Sequence, residues 1–171
     1  MDNKLDRVLH ACKYYPPEKG GIEYVSEQYV EFYESMYYAN EVIAFTSSKS
    51  TNCERRKNFS IFRFPCITLA SQPLSVGYLK KFIKLAFSKP DVVHVHLPNY
   101  LAVFGVLCSF WTHRKLLIHW HADSTSIKYH PILILDILIV LLAQKVIFTS
   151  REYYDYSPIR FFCRPGKVSI I

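Results

Sequence analysis

The chain has 171 residues, half of them hydrophobic and 16% aromatic, so it is not a disordered protein and has enough apolar material for one domain with a sizeable core. Its formal net charge of +7 calls for an anionic partner. The bases lie apart, in Arg55-Arg56-Lys57 and in Lys80, Lys81 and Lys84, with no zinc-finger, RNP or helix-turn-helix pattern, which disfavours nucleic acid against an anionic membrane face or a phosphorylated substrate. Cys12, Cys53, Cys66, Cys108 and Cys163 are odd in number and form no CxxC pair, as expected of reduced thiols. The charged start, with no apolar run behind it, argues against a secretory signal, and the expected location is the cytoplasm.

In chain order, residues 7–12 are a short apolar run with the look of a buried parallel strand. Residues 13–23 form a strand-to-helix turn containing Pro16-Pro17 and ending in Gly20-Gly21. There the paired glycines are expected to use positive φ and to bring a ligand close to the main chain. The helix that follows is expected to bury Ile22, Val25, Tyr29 and Phe32 and to turn Glu23, Glu27 and Glu31 away. Its first N–H groups lack partners within the helix and suit an anion such as a phosphate; the competing reading is a tight turn with glycines for geometry alone. Strands are predicted at 41–46 and 59–64, with a polar loop over 47–57 between them. A basic amphipathic helix is predicted over 74–88, with Leu79, Phe82, Ile83 and Ala86 inward and the three lysines opposite. It is either an ordinary surface helix or one that lies on an anionic bilayer. Further strands are expected at 92–96, 115–121, 145–150 and 167–171. Helices are expected at 100–111, at 131–143, which is too short to span a bilayer, and at 151–161.

Strands alternating with helices predict an α/β fold: a doubly wound, mostly parallel, Rossmann-like sheet in one domain over 1–171. In such a sheet ligands sit at the carboxyl ends of strands, where strand order reverses. Four polar strand tips obey that rule: Gly20-Gly21, the run from His96 to Asn99, His121 with Asp123, and Thr149-Ser150-Arg151. His121 with Asp123 can hold a proton or bind a sugar hydroxyl, and either residue can equally be an ordinary loop or turn residue. His94 and His119 fall inside strands, where a hydrogen-bonded core histidine is the usual finding. His94 and His96, and likewise His119 and His121, are two apart and share a strand face, so a metal site from these four is conceivable; with no acidic or cysteine ligand at zinc spacing, no metal is expected. Cys12 is expected to be a buried thiol. There is no GxSxG elbow, no GxxxxGK[ST] loop and no GxGxxG, which removes the usual warrant for acyl transfer, P-loop hydrolysis and dinucleotide binding.

Four pieces occur together in one order: Tyr14-Tyr15-Pro16-Pro17-Glu18-Lys19-Gly20-Gly21-Ile22-Glu23, Asp91-Val92-Val93-His94-Val95-His96-Leu97-Pro98-Asn99, His119-Trp120-His121-Ala122-Asp123-Ser124 and Val146-Ile147-Phe148-Thr149-Ser150. In that order and spacing the chain resembles the N-terminal, acceptor-side half of glycosyltransferase family 4, retaining GT-B enzymes that use nucleotide-diphosphate sugars. The resemblance implies that Gly20 and Gly21 face the donor diphosphate and that His121 and Asp123 act beside the transferred sugar. It also implies that His96, Asn99 and Tyr15 line the acceptor side, where the acceptor is a sugar or a lipid-linked glycan. No cofactor or metal is implied beyond the donor itself, since helix N-termini and basic side chains neutralise the leaving diphosphate. The family's C-terminal nucleotide-sugar-binding domain, with its E-x7-E element, has no counterpart in these residues. Activity is therefore expected only with a donor-binding domain or a separate C-terminal-half protein. The alternatives are a non-enzymatic partner-binding or membrane-peripheral module and a flavodoxin-like small α/β binder.

Overall fold

The computed structural model describes residues 6–56, 58–69, 71–109, 111, 115–122 and 130–171. Its strands are β1 (Arg7–Ala11), β2 (Ala39–Thr46), β3 (Asn52–Arg56), β4 (Phe59–Pro65), β5 (Ile67–Leu69), β6 (Gln72–Leu74), β7 (Val92–Leu97), β8 (Lys115–Trp120), β9 (Lys145–Phe148) and β10 (Val168–Ile170). Its helices are α1 (Gly21–Ser35), α2 (Val76–Phe87), α3 (Tyr100–Ser109), α4 (His130–Leu142) and α5 (Arg151–Tyr156), with a 3-10 turn at Pro158–Phe162. Eight strands form one sheet in the order β10-β9-β8-β7-β1-β2-β4-β3, every pair parallel except β3 with β4. The chain first builds outward from β1 through β2 and β4, then returns to β7 on the other side of β1. Strand order therefore reverses between β1 and β7, the place where such sheets take ligands.

Alternation along the strands divides the sheet into two unlike faces. Leu9, Ala11, Val93, Val95, Leu97, Leu116, Ile118 and Trp120 point into the main core under α2, α3 and α4. There α2 and α3 approach closely: a Cβ on Gly105 would sit 2.5 Å from the Phe82 ring, so only glycine fits without repacking. Phe45 stacks on Tyr78 with ring centroids 4.2 Å apart. A smaller apolar cluster of Cys12, Tyr15, Val30, Val42, Ala44, Phe59 and Ile61 covers part of the opposite face beside α1.

Several expected details change. Helix α1 buries Ser26 and Val30 and half-buries Tyr29 and Tyr33, while Phe32 is exposed. Small and aromatic residues face inward because the sheet surface below is made of imidazole rings rather than aliphatic chains. Helix α2 packs Tyr78, Phe82, Leu85 and Ala86 inward, and Leu79 and Ile83 lie at the margin. Of its lysines, Lys80 and Lys84 are exposed, while Lys81 lies over the Phe62 ring at 3.5 Å. The stretch expected as a loop over 47–57 contains the edge strand β3, and β5 pairs with β6 as a small hairpin. No helix among the described residues is long and apolar enough to cross a membrane.

Candidate functional site at the carboxyl edge of the sheet

The turn after β1 is held from two sides. The Glu18 carboxylate accepts from the Ser47 backbone N–H at 3.0 Å and hydroxyl at 2.8 Å, bonds that hold its carboxyl below the usual range. The buried Arg63 guanidinium donates to the Pro16 carbonyl and, at 3.4 Å, to Glu54. These contacts fix the loop against the ends of β2 and β4 and deliver Gly20-Gly21 to the start of α1. Gly20 is the N-cap, but its φ of 170° is extended backbone, and Gly166 is the described glycine with positive φ. The expected left-handed geometry of the pair is thus absent. The Glu23 carboxylate folds back to 2.1 Å from where a Cβ on Gly20 would lie, whereas nothing stands within 4 Å of one on Gly21. Both glycines are exposed, but a side chain at position 20 would meet the Glu23 carboxylate, whereas one at position 21 would meet open space.

Between β7 and β8 the register sets His96 beside His119, and between β1 and β7 it sets His10 beside His94. With His121 just past β8, five imidazoles share the α1-side face of the sheet. His119 and His121 stack with centroids 4.0 Å apart, His94 and His96 lie 4.3 Å apart, and Tyr29 presents its ring edge-on to His94 and His119. His96 Nδ1 is 3.2 Å from His121 Nε2, and His10 Nε2 is 3.1 Å from Asn40 Oδ1. His10, His94, His96 and His119 are fully buried; His121 is partly open. Burial, reinforced for His94, His96 and His119 by neighbouring imidazoles, holds all five neutral. His10 and His121 are pushed down to about 4 and His119 to about 3, with His94 and His96 well below their usual value. The hydrogen-bonded core histidine expected at 94 and 119 is not found among the described residues, where both ring nitrogens of each, with His96 Nε2 and His10 Nδ1, have no partner.

Asn99 is fully buried. Its Oδ1 accepts from the Ala102 N–H at 3.2 Å at the start of α3, and its amide donates to the Tyr78 hydroxyl at 3.0 Å. Tyr78 in turn donates to the Cys12 carbonyl at 3.4 Å, so one chain of bonds joins the ends of β1 and β7 through α2. Tyr15 is only 4% exposed and packs by Phe59; burial first, then nearby thiol and carboxylate groups, raises its phenol well above the usual range. His96, Asn99 and Tyr15 were expected to line the acceptor side, and here the side chains of all three are buried. Cys12 is the buried thiol expected, pushed up to about 12 by burial. Asp123 lies outside the described residues. Sequence reasoning missed the supporting contacts of Glu18, Arg63 and Tyr78; each joins elements far apart in the chain, and no local pattern signals them.

The family model of Glycosyltransferase Family 4 matches residues 19–171. No curated protein matches the chain. Among solved structures, sucrose-phosphate synthase from Thermosynechococcus elongatus superposes with a TM-score of 0.70 at 14% identity, over 97% of this chain and 47% of that one. The catalytic domain of starch synthase IV from Arabidopsis thaliana, bound to ADP and acarbose, gives 0.56 at 10% identity over 98% and 51%. An alpha-glucosyltransferase in complex with UDP and a 13-mer DNA gives 0.56 at 10% identity over 98% and 42%. At such identities the likeness is one of fold, and the chain spans about half the length of the structures it matches. With its Rossmann-like sheet matching GT-B glycosyltransferases and the family match running through all but the first strand and turn, the chain belongs to Glycosyltransferase Family 4.

Proposed function

We propose that the chain is the acceptor-side half of a retaining glycosyltransferase, transferring a sugar from a nucleotide-diphosphate donor to a glycan acceptor, with lipid-linked glycans among the acceptors. The observation that carries this reading is the joint position of an open Gly21 and the partly open His121 at the carboxyl edge, around the reversal between β1 and β7. Gly20 and Gly21 bring the first N–H groups of α1 to the donor diphosphate once the Glu23 carboxylate swings away. His121, steadied by His96, lies beside the transferred sugar, and Asp123, two residues further along the chain, is proposed to act with it. Asn99 and Tyr15 act from beneath, holding the ends of β7 and the turn. The acceptor hydroxyl forms the new bond to the anomeric carbon on the face from which the diphosphate leaves. Its proton passes to the leaving group, so this geometry requires no enzyme nucleophile. Transfer needs a donor-binding domain, in the same or another polypeptide.

The test is calorimetric titration of nucleotide-diphosphate sugars into the chain together with such a domain. Gly21→Val, for which the structure leaves room, is expected to keep the fold and weaken donor binding about tenfold or more. Unchanged donor affinity in a folded Gly21→Val would remove the glycines from the donor site.

A second reading, that the domain also rests on an anionic membrane at its cytoplasmic face, is favoured by α4. There Ile134, Leu138 and Leu141 are 58%, 42% and 44% exposed at helical spacing. Wild-type protein is expected to sediment with anionic vesicles and Leu138→Glu to remain in the supernatant. Equal recovery of both in the supernatant would sink this reading.

A further inference from the structure

The face of the sheet under α1 carries an arrangement that the linear sequence does not announce. His96, His119 and His121 each offer a ring nitrogen, and the three atoms lie within 4.8 Å of one another. We propose that these residues form a binding site for a divalent transition-metal ion of the zinc class, with three imidazole ligands and one open position toward the carboxyl edge.

Three observations support it. First, one pair of nitrogens already stands at the spacing of ligands on one ion, and the third ring offers a nitrogen within 4.8 Å of both. Two nitrogens about 2.05 Å from a tetrahedral zinc stand about 3.3 Å apart, and His96 Nδ1 and His121 Nε2 are separated by 3.2 Å. Second, the site contains an unused ligand: both nitrogens of the fully buried His119 have no hydrogen-bond partner among the described residues, a state that buried polar atoms rarely keep without a ligand. Third, there is a way in. His10, His94 and His96 form a second group of the same compactness, but all three are fully buried and His10 already bonds Asn40. The outer group includes His121, which is partly open, so an ion can reach at least one of its ligands. The inner imidazoles then stand as neighbours of the ligand shell, with the His94 ring 4.3 Å from that of His96.

Sequence spacing pairs His94 with His96 and His119 with His121 on shared strand faces but does not say which rings meet. His96 lies in β7 and His119 in β8, and the parallel register sets them side by side. The site shares His96 and His121 with the proposed transfer site, but it rests on ligand geometry and is read without an activity assay.

The experiment uses untagged protein stripped with a chelator and titrated with cobalt(II), then zinc(II). One cobalt per chain is expected, with visible ligand-field bands of a four-coordinate nitrogen–oxygen site, no thiolate charge-transfer band, and displacement by zinc. His121→Ala, checked for folding by circular dichroism, is expected to weaken binding by about a hundredfold. Cys53→Ser, which removes an exposed thiol, should leave binding unchanged. In wild-type protein, zinc should also shift the imidazole nitrogen resonances of His96, His119 and His121, a readout that needs no variant. Failure of the folded wild type to take up stoichiometric cobalt, or resonances at these histidines that do not move, would overturn the proposal. So would binding that survives His121→Ala and disappears with Cys53→Ser.

Discussion

Kept free of metal by a chelator, the domain is expected to be stable at pH 7 and mostly unfolded near pH 5. Five imidazoles are held neutral in the fold, His10 and His121 down to about 4 and His119 to about 3. In the unfolded chain each titrates near 6.5. A group whose folded pKa is depressed in this way is neutral in both states above about pH 6.5 and has no effect there. Between about 6.5 and 4 the unfolded chain binds protons that the folded chain refuses, so stability falls as pH falls. At pH 5 each of His10, His119 and His121 removes about 2 kcal/mol, and His94 and His96 act in the same direction, a total on the order of the 5–15 kcal/mol that ordinarily separates folded from unfolded protein. Urea denaturation from pH 7.5 to 5 measures the slope. His94→Leu is expected to be neutral or stabilising at pH 7, because both nitrogens of His94 lack partners, and to flatten the slope by about one proton. A urea midpoint unchanged between pH 7 and pH 5 would show that the histidines are not sequestered as described.

Asn99→Ala is expected to cost about 2–3 kcal/mol. It removes the cap of α3, typically worth about 1 kcal/mol, and strips the buried Tyr78 hydroxyl of its donor, a further cost of about 1–2 kcal/mol. Tyr78→Phe should cost less, and the double variant less than the two singles together, with a coupling of about 1 kcal/mol. Urea midpoints of the four proteins measure this directly. Loss below about 0.5 kcal/mol together with weakened acceptor binding would instead return Asn99 to the acceptor surface.

The sheet was legible because its central strands are continuous apolar runs stopped by Pro, Gly or Asn, as at Val92–Leu97 followed by Pro98-Asn99. The rim was legible for the same reason: parallel strands put their informative polar tips at one edge. What failed depended on neighbours. Edge strand β3 reads as loop because its residues, Asn52, Cys53, Glu54, Arg55 and Arg56, are polar, as an edge needs to be. Strands β5 and β6 are three residues each, too short for a period to register. The inward face of α1 follows from the imidazoles beneath it, and those assemble only through the strand register. Asn99 was read as a surface residue because its tip position is visible in sequence, while its partner Tyr78 is 21 residues away on another helix.

The acceptor-side half of a retaining transferase is tested most directly by the anomeric configuration, read by NMR, of the glycoside formed when the chain is combined with a donor-binding domain, an α-linked nucleotide-diphosphate sugar and a glycan acceptor. An α-linked product is expected that neither protein makes alone and that His121→Ala lowers about a hundredfold. A β-linked product, or no product with any such donor while the mixture still binds it, would rule out this function for the chain.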